Sequence, residues 1–221
     1  MATKTFILST TRLENFSDGV FAIILTLLAF QFKIPKFTND IGLVYNFSEL
    51  LAIAPYLLGF VFSFFFIAVF WVNHHSLYHA VTEVNIVLIW YNIHSLFWIS
   101  MIPFTIAMVG NHPNLSIAAI SLGIVLFMAS LAAFLLFRYC YIKSKLVDET
   151  LSLQTIDKGN LRNIAAIAVT FLGILIAFKW VYLSYCVYFV VIIIFVIPLK
   201  MEKKMRSSKD RTQQEPTTII W

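Results

Sequence analysis

An all-α membrane protein with six transmembrane helices is the fold class this sequence predicts. Three observations predict it. Of the 221 residues, 60% are hydrophobic and only 12% are charged, with a mean hydropathy of +0.86. Soluble domains run at about 45–50% apolar and about 25% charged. The apolar residues also cluster in runs long enough to cross a hydrocarbon core of about 30 Å. Finally, Lys and Arg crowd onto alternate loops, as the positive-inside rule requires of a multi-pass chain.

The first span is Leu13–Phe32, which just crosses the hydrocarbon at about 1.5 Å per residue. The N-terminal residues lack a small-residue cleavage site after a clean apolar core, so this span is expected to be retained. A polar connection, KIPKFTNDIGLVYNFSE, follows, and Pro35 stops the helix. Leu50–Tyr78 is the second span, and HAVTEVN leads to the third, Ile86–Val109, which Pro103 should kink. Gly110–Asn114, GNHPN, is a strong turn before the fourth span, Leu115–Ile142. After the polar loop KSKLVDETLSLQTIDKGNLRN, the apolar run Ile164–Leu199 is too long for one ordinary span. Lys179 and Trp180 interrupt it, and the sequence predicts a tight hairpin there rather than one long tilted helix.

Charge placement supports that hairpin. With six spans, the N-terminus, the even-numbered loops and the C-terminus share 13 Lys and Arg residues, against three (Lys33, Lys36 and Lys179) on the other side. Both termini are therefore expected in the cytoplasm, with the chain in the cell (inner) membrane. Residues 1–200 form one six-span domain, and 201–221 a basic cytoplasmic tail, expected to be mobile. The net charge of +5 follows this topology and implies no nucleic-acid partner. Cys140 and Cys186 lie in or beside apolar segments, far apart, and suggest neither a disulfide framework nor a metal pair.

Several classes are excluded by what the sequence lacks. No span carries arginines at every third position, so there is no voltage sensor. No TVGYG-type filter is present, GLVYN at Gly42–Asn46 being a distant look-alike in a loop, and no re-entrant segment fits between the last two spans. No Gly-rich phosphate loop points to a nucleotide-driven pump, and no repeat between the halves points to an inverted-repeat transporter.

Three constellations remain. RLENFSD places Arg12, Ser17 and Asp18 in the first turns of a membrane helix. Such groups either cap and anchor the helix at the headgroups or form a buried polar network that fixes it against its neighbours or touches an ion path. FWVNHHSLYH places His75 and His79 on one helix face, with His74 beside them. No carboxylate accompanies them at ligand spacing within the spans, so no metal site is expected there. WYNIHSLFWISMIPF carries Asn92 and His94 within a span, where polar groups need partners. Asp18, His75 and Asn92 fall in the same half of three different helices and are in a position to meet.

At about 100° per residue, Phe16, Gly19, Val20, Ile23, Leu27 and Phe30 share one stripe of the first span, with Thr26 at its edge. Ser17 and Asp18 lie more than about 100° from Ile23. The helix thus has an apolar face and, around its other side, a polar cluster at one end. The apolar stripe is free to face lipid, another helix, or the axis of a symmetric assembly.

RLENFSDGVFAI resembles the R-x-x-x-F-S-D signature of the transmembrane protein 175 potassium channels, and WVNHH and the Asn92 to Pro103-Phe104 spacing resemble that family's second and third spans. The resemblance covers Arg12–Phe104 by motif and the whole chain by span count. It implies a potassium-permeable cation channel and not an enzyme, with no cofactor and potassium as the permeant ion. One six-span repeat resembles the prokaryotic form, implying a homotetramer around the first helix. Carried over, Arg12, Phe16, Ser17 and Asp18 belong to a network that packs that helix, with His75 and Asn92 as partners and His74 as the alternative to His75. Ile23 becomes the constriction, with Thr26, Leu27 and Phe30 also lining the pore. A proton-coupled transporter using Asp18 and the histidines is the alternative reading. A metalloenzyme built on His74, His75, His79 and His94 is a third.

Overall fold

The computed structural model describes residues 9–30, 47–144, 146–147 and 153–196. Seven α-helices are described: α1 Thr10–Phe30, α2 Phe47–Tyr78, α3 Ile86–Ser100, α4 Ile102–Asn111, α5 Ser116–Arg138, α6 Leu153–Ala177 and α7 Val181–Val196. The expected stop at Pro35, the end of the first span past Phe30, and the tail 201–221 lie outside the described residues. So does the side chain of Phe30. Among the described residues there is no strand, only an isolated antiparallel bridge between Val81 and Val147. Beside it the Thr82 amide donates to the Leu146 carbonyl (2.9 Å), tying the α2–α3 connection to the stretch after α5.

Four of these segments are long and apolar enough to cross a membrane: Gly59–Tyr78, Ile86–Asn111, Ser116–Lys143 and Ile156–Ala177, with Val181–Val196 shorter. Asn85 starts α3 by accepting the Leu88 amide on its side-chain oxygen (2.9 Å), an ordinary N-cap. The kink expected at Pro103 takes the form of a break between α3 and α4 at Met101. Proline there has no N–H for the Ile99 carbonyl and its ring clashes with that carbonyl. α5 ends in a five-residue π-helical turn, Tyr139–Lys143. The expected hairpin is present: α6 ends at Ala177, the Lys179 and Trp180 amides both donate to the Ile176 carbonyl, and α7 begins at Val181.

One boundary differs from expectation. The polar loop was expected to run to Asn163, yet helix α6 begins at Leu153. The reason is a face of small residues: Gly159, Asn163, Ala166, Thr170, Gly173 and Ala177 are all buried, at alternating spacings of four and three. Such a face lets two helix backbones approach closely, and α6 packs along α5. The polar residues between them lie on the helix's other sides, so hydropathy alone hides the helix.

The core forms two clusters. The larger joins Phe21, Ile24 and Leu28 of α1 to Phe66, Ile67 and Phe70 of α2, Ile99 of α3, Leu126 of α5 and Phe195 of α7. The smaller gathers Leu13, Leu77, Tyr78, Leu88, Phe137 and Cys140 at the end where α1 begins. Among the described residues Tyr188 of α7 is the largest fully buried side chain; its hydroxyl donates to the Ala119 carbonyl (3.1 Å). Its ring occupies the space that side chains at Gly123 and Gly173 would need.

Candidate functional site: the first helix and its anchorage

α1 rests on α2 and α3. Its buried face is Leu13, Ser17, Phe21, Ile24 and Leu28, spaced by four, four, three and four residues. Four of the five are apolar. Ser17 is the exception, and it is fully buried. Its hydroxyl donates to the Leu13 carbonyl one turn back (2.9 Å) and accepts from Asn92 Nδ2 on α3 (2.9 Å). Asn92, also fully buried, uses its Oδ1 to accept from His74 Nε2 on α2 (2.8 Å). One asparagine thus bonds α1 to α3 and α3 to α2. The His74 ring is held by packing as well: Phe21 meets it edge-on at 5.3 Å and Tyr78 lies at 4.7 Å.

His74, rather than His75, is therefore the histidine that meets Asn92. The buried stripe of α2 runs Phe66, Phe70, His74 and Leu77, and helical spacing puts His75 about 100° away from it. That stripe is the signal in the sequence that separates the two histidines. His75 also touches α1, but at the rim. Its Nδ1 lies 3.1 Å from Glu14 Oε1, and its ring stacks on Trp71 at 5.6 Å. Trp71 Nε1 in turn donates to Asp18 Oδ1 (2.8 Å). No sequence pattern assigned these contacts to Glu14 of α1 and Trp71 of α2. Asp18 and Trp71 lie 53 positions apart, and only the α1–α2 packing makes them neighbours.

The donor atoms of Glu14, Asp18 and His75 all lie within 4.8 Å of one another, so the carboxylates missing from the histidine segment come from α1. The four histidines of the metalloenzyme reading do not converge. His74 is on Asn92, His75 on Glu14, His79 is exposed in the turn after α2, and His94 accepts from Trp98 Nε1 at 3.0 Å. Arg12 and Phe16 are exposed on this chain.

The face of α1 turned away from this anchorage is apolar and exposed. Ile23 is 60% and Leu27 46% exposed, and Thr26 lies between them. The Thr26 hydroxyl donates to the Ile23 carbonyl (2.8 Å). Its hydrogen is thereby used within the helix, and the oxygen lone pairs remain available on the exposed side.

Fold and site together define a multi-pass helical membrane protein whose N-terminal helix is fixed on one face by polar bonds and bare on the other. A sequence profile of the family described as endosomal/lysosomal potassium channel TMEM175 matches residues 12–103, the segment that holds every anchoring residue above. A potassium channel of Chryseobacterium sp. (strain P1-3) is 30% identical over 201 residues, 89% of this chain and 98% of that one. A potassium channel of Chamaesiphon minutus is 39% identical over 115 residues, 50% of this chain and 55% of its own length. The crystal structure of a lysosomal potassium-selective channel TMEM175 homolog from Chamaesiphon minutus superposes with a TM-score of 0.72 at 29% identity, covering 85% of this chain and 96% of that one. The chain belongs to the TMEM175 family of potassium channels.

Proposed function

We propose that this chain forms a potassium-permeable channel as a homotetramer, with α1 from each subunit lining the pore. The six spans are α1, α2, α3 with α4, α5, α6 and α7, in the inner membrane, with both termini cytoplasmic. The observation that carries this reading is the exposed face of α1. Its partners α2 and α3 cover the opposite side, so Ile23, Thr26 and Leu27 are free to face a symmetry axis.

In that arrangement Ile23 forms an apolar neck. Four such side chains in a tight ring exclude water, and an ion that must shed its hydration there meets a steep barrier. A small rotation of α1 widens and wets the neck. Selectivity needs no TVGYG filter: potassium loses its water shell at lower cost than sodium, and the Thr26 oxygens replace part of that shell. Ser17, Asn92, His74, Asp18 and Trp71 act as the clamp that fixes how α1 is turned. Asp18 adds negative potential near the inner mouth without lining it. Phe30, on the same stripe as Ile23, belongs to the outer pore in this reading.

Single-channel recording from reconstituted protein tests the proposal. Potassium currents should persist without a proton gradient, and Ile23→Asn should raise open probability or leak by wetting the neck. Strictly proton-coupled, saturable flux would favour the transporter reading instead. An unchanged current in Ile23→Asn would remove Ile23 from the constriction.

A further inference from the structure

We propose that Glu14, Asp18 and His75 form a binding site for one divalent transition-metal ion of the zinc class, at the N-terminal end of α1. Glu14 and Asp18 are four residues apart, so they share a face of α1, and His75 reaches across from α2. All three donor atoms lie within 4.8 Å of one another, and His75 Nδ1 is 3.1 Å from Glu14 Oε1. A tetrahedral zinc ion binds nitrogen and oxygen at about 2.0–2.2 Å, so neighbouring donors sit roughly 3.3 Å apart. The Glu14–His75 edge already has that length. A turn of the Asp18 carboxylate within its side-chain freedom closes the rest.

Trp71 orients two of the three ligands at once. Its Nε1–H donates to Asp18 Oδ1, which leaves Oδ2 for the ion, and its indole stacks on the His75 ring. Such supporting contacts commonly tune metal affinity by about 10–100-fold. Two carboxylates match the charge of a divalent ion, and the imidazole favours zinc over magnesium or calcium, which prefer oxygen alone. Three protein ligands leave a fourth position for water. Side-chain exposures of 46% for His75 and 27% for Glu14, in the terminal turns of their spans, leave both donors accessible on this chain. The bound ion joins α1 to α2, separately from the Ser17–Asn92–His74 bonds. The binding claim is independent of whether the chain conducts potassium.

The test uses full-length protein, free of any histidine tag and stripped with chelator, titrated with zinc chloride by calorimetry and checked by elemental analysis after dialysis. One zinc per chain is expected, undisturbed by excess magnesium. His75→Ala and Glu14→Gln should each weaken binding about ten-fold or more, Trp71→Phe should weaken it too, and His112→Ala at the distant turn should not. Zinc should raise the Tm of the unmodified protein and leave that of His75→Ala unmoved. X-ray absorption of the zinc-loaded protein should show a single histidine among oxygen ligands. No stoichiometric zinc, full binding in His75→Ala, or a coordination shell with several histidines would overturn the proposal, and the unmodified protein alone supplies the first and third outcomes.

Discussion

Replacing Asn92 with alanine removes both bonds by which this residue links the first three helices. The magnitude follows from what each partner loses. Ser17 keeps its bond to the Leu13 carbonyl, so its hydroxyl hydrogen stays satisfied. His74 Nε2, in a buried ring, loses its acceptor, and a buried donor left unpaired costs about 1–3 kcal/mol. Hydrogen bonds between membrane helices average about 0.6 kcal/mol and reach about 1.7. The expected loss is therefore about 1–3 kcal/mol, which lowers the Tm of a chain this long by roughly 2–12 °C. The assay is thermal unfolding in detergent followed by tryptophan fluorescence, with gel filtration to check assembly. Ser17→Ala and the double variant complete a cycle, expected to show a coupling of about 0.5–1.7 kcal/mol. His75→Ala, losing rim contacts to Glu14 and Trp71, should cost less than His74→Ala. An unchanged Tm in Asn92→Ala, or a larger loss from His75→Ala than from His74→Ala, would refute this account of the anchorage.

Two further predictions concern other parts of the molecule. Gly173→Ala places a methyl group against the Tyr188 ring, with Cδ1 at 2.8 Å, in a fully buried site, and should cost about 1–3 kcal/mol by overpacking; a Tm within one degree of the parent would mean that α7 shifts freely over α6. Thr26→Ala removes a neutral oxygen contribution of about 1 kcal/mol, so the potassium-to-sodium permeability ratio, read from reversal potentials, should fall roughly five-fold; an unchanged ratio would take Thr26 out of selectivity.

Much of the fold was legible because membrane solvation leaves strong marks. The hairpin at Lys179 was legible in the length of the apolar run and its interruption by Lys179 and Trp180, with the charge split in support, and the kink before Pro103 in the missing N–H. The start of α6 was hidden, because a face of small residues such as Gly159 and Ala166 gives almost no hydropathy signal. In the site, Ser17 and Asn92 stood out as polar residues in apolar helices, where such groups need partners. The choice between His74 and His75 rested on a motif that two adjacent histidines blur. The spacing from Phe66 through Phe70 to His74 would have resolved it. Trp71 on Asp18 and Glu14 on His75 join residues more than 50 positions apart, and local pattern says nothing about such pairs.

The uneven fastening of α1 has a mechanical consequence. At Ser17 and Asp18 the helix is held by directional bonds, whereas further along Phe21, Ile24 and Leu28 are held by packing without hydrogen bonds. α1 is therefore a lever with its fulcrum at Ser17. Ile23 lies about 9 Å and Leu27 about 15 Å along the arm. A swing of about 10° displaces them by roughly 1.6 and 2.6 Å, while the fulcrum stays still. The travel is thus greatest away from the hydrogen-bonded end, and a substitution at the fulcrum changes the direction of the whole arm.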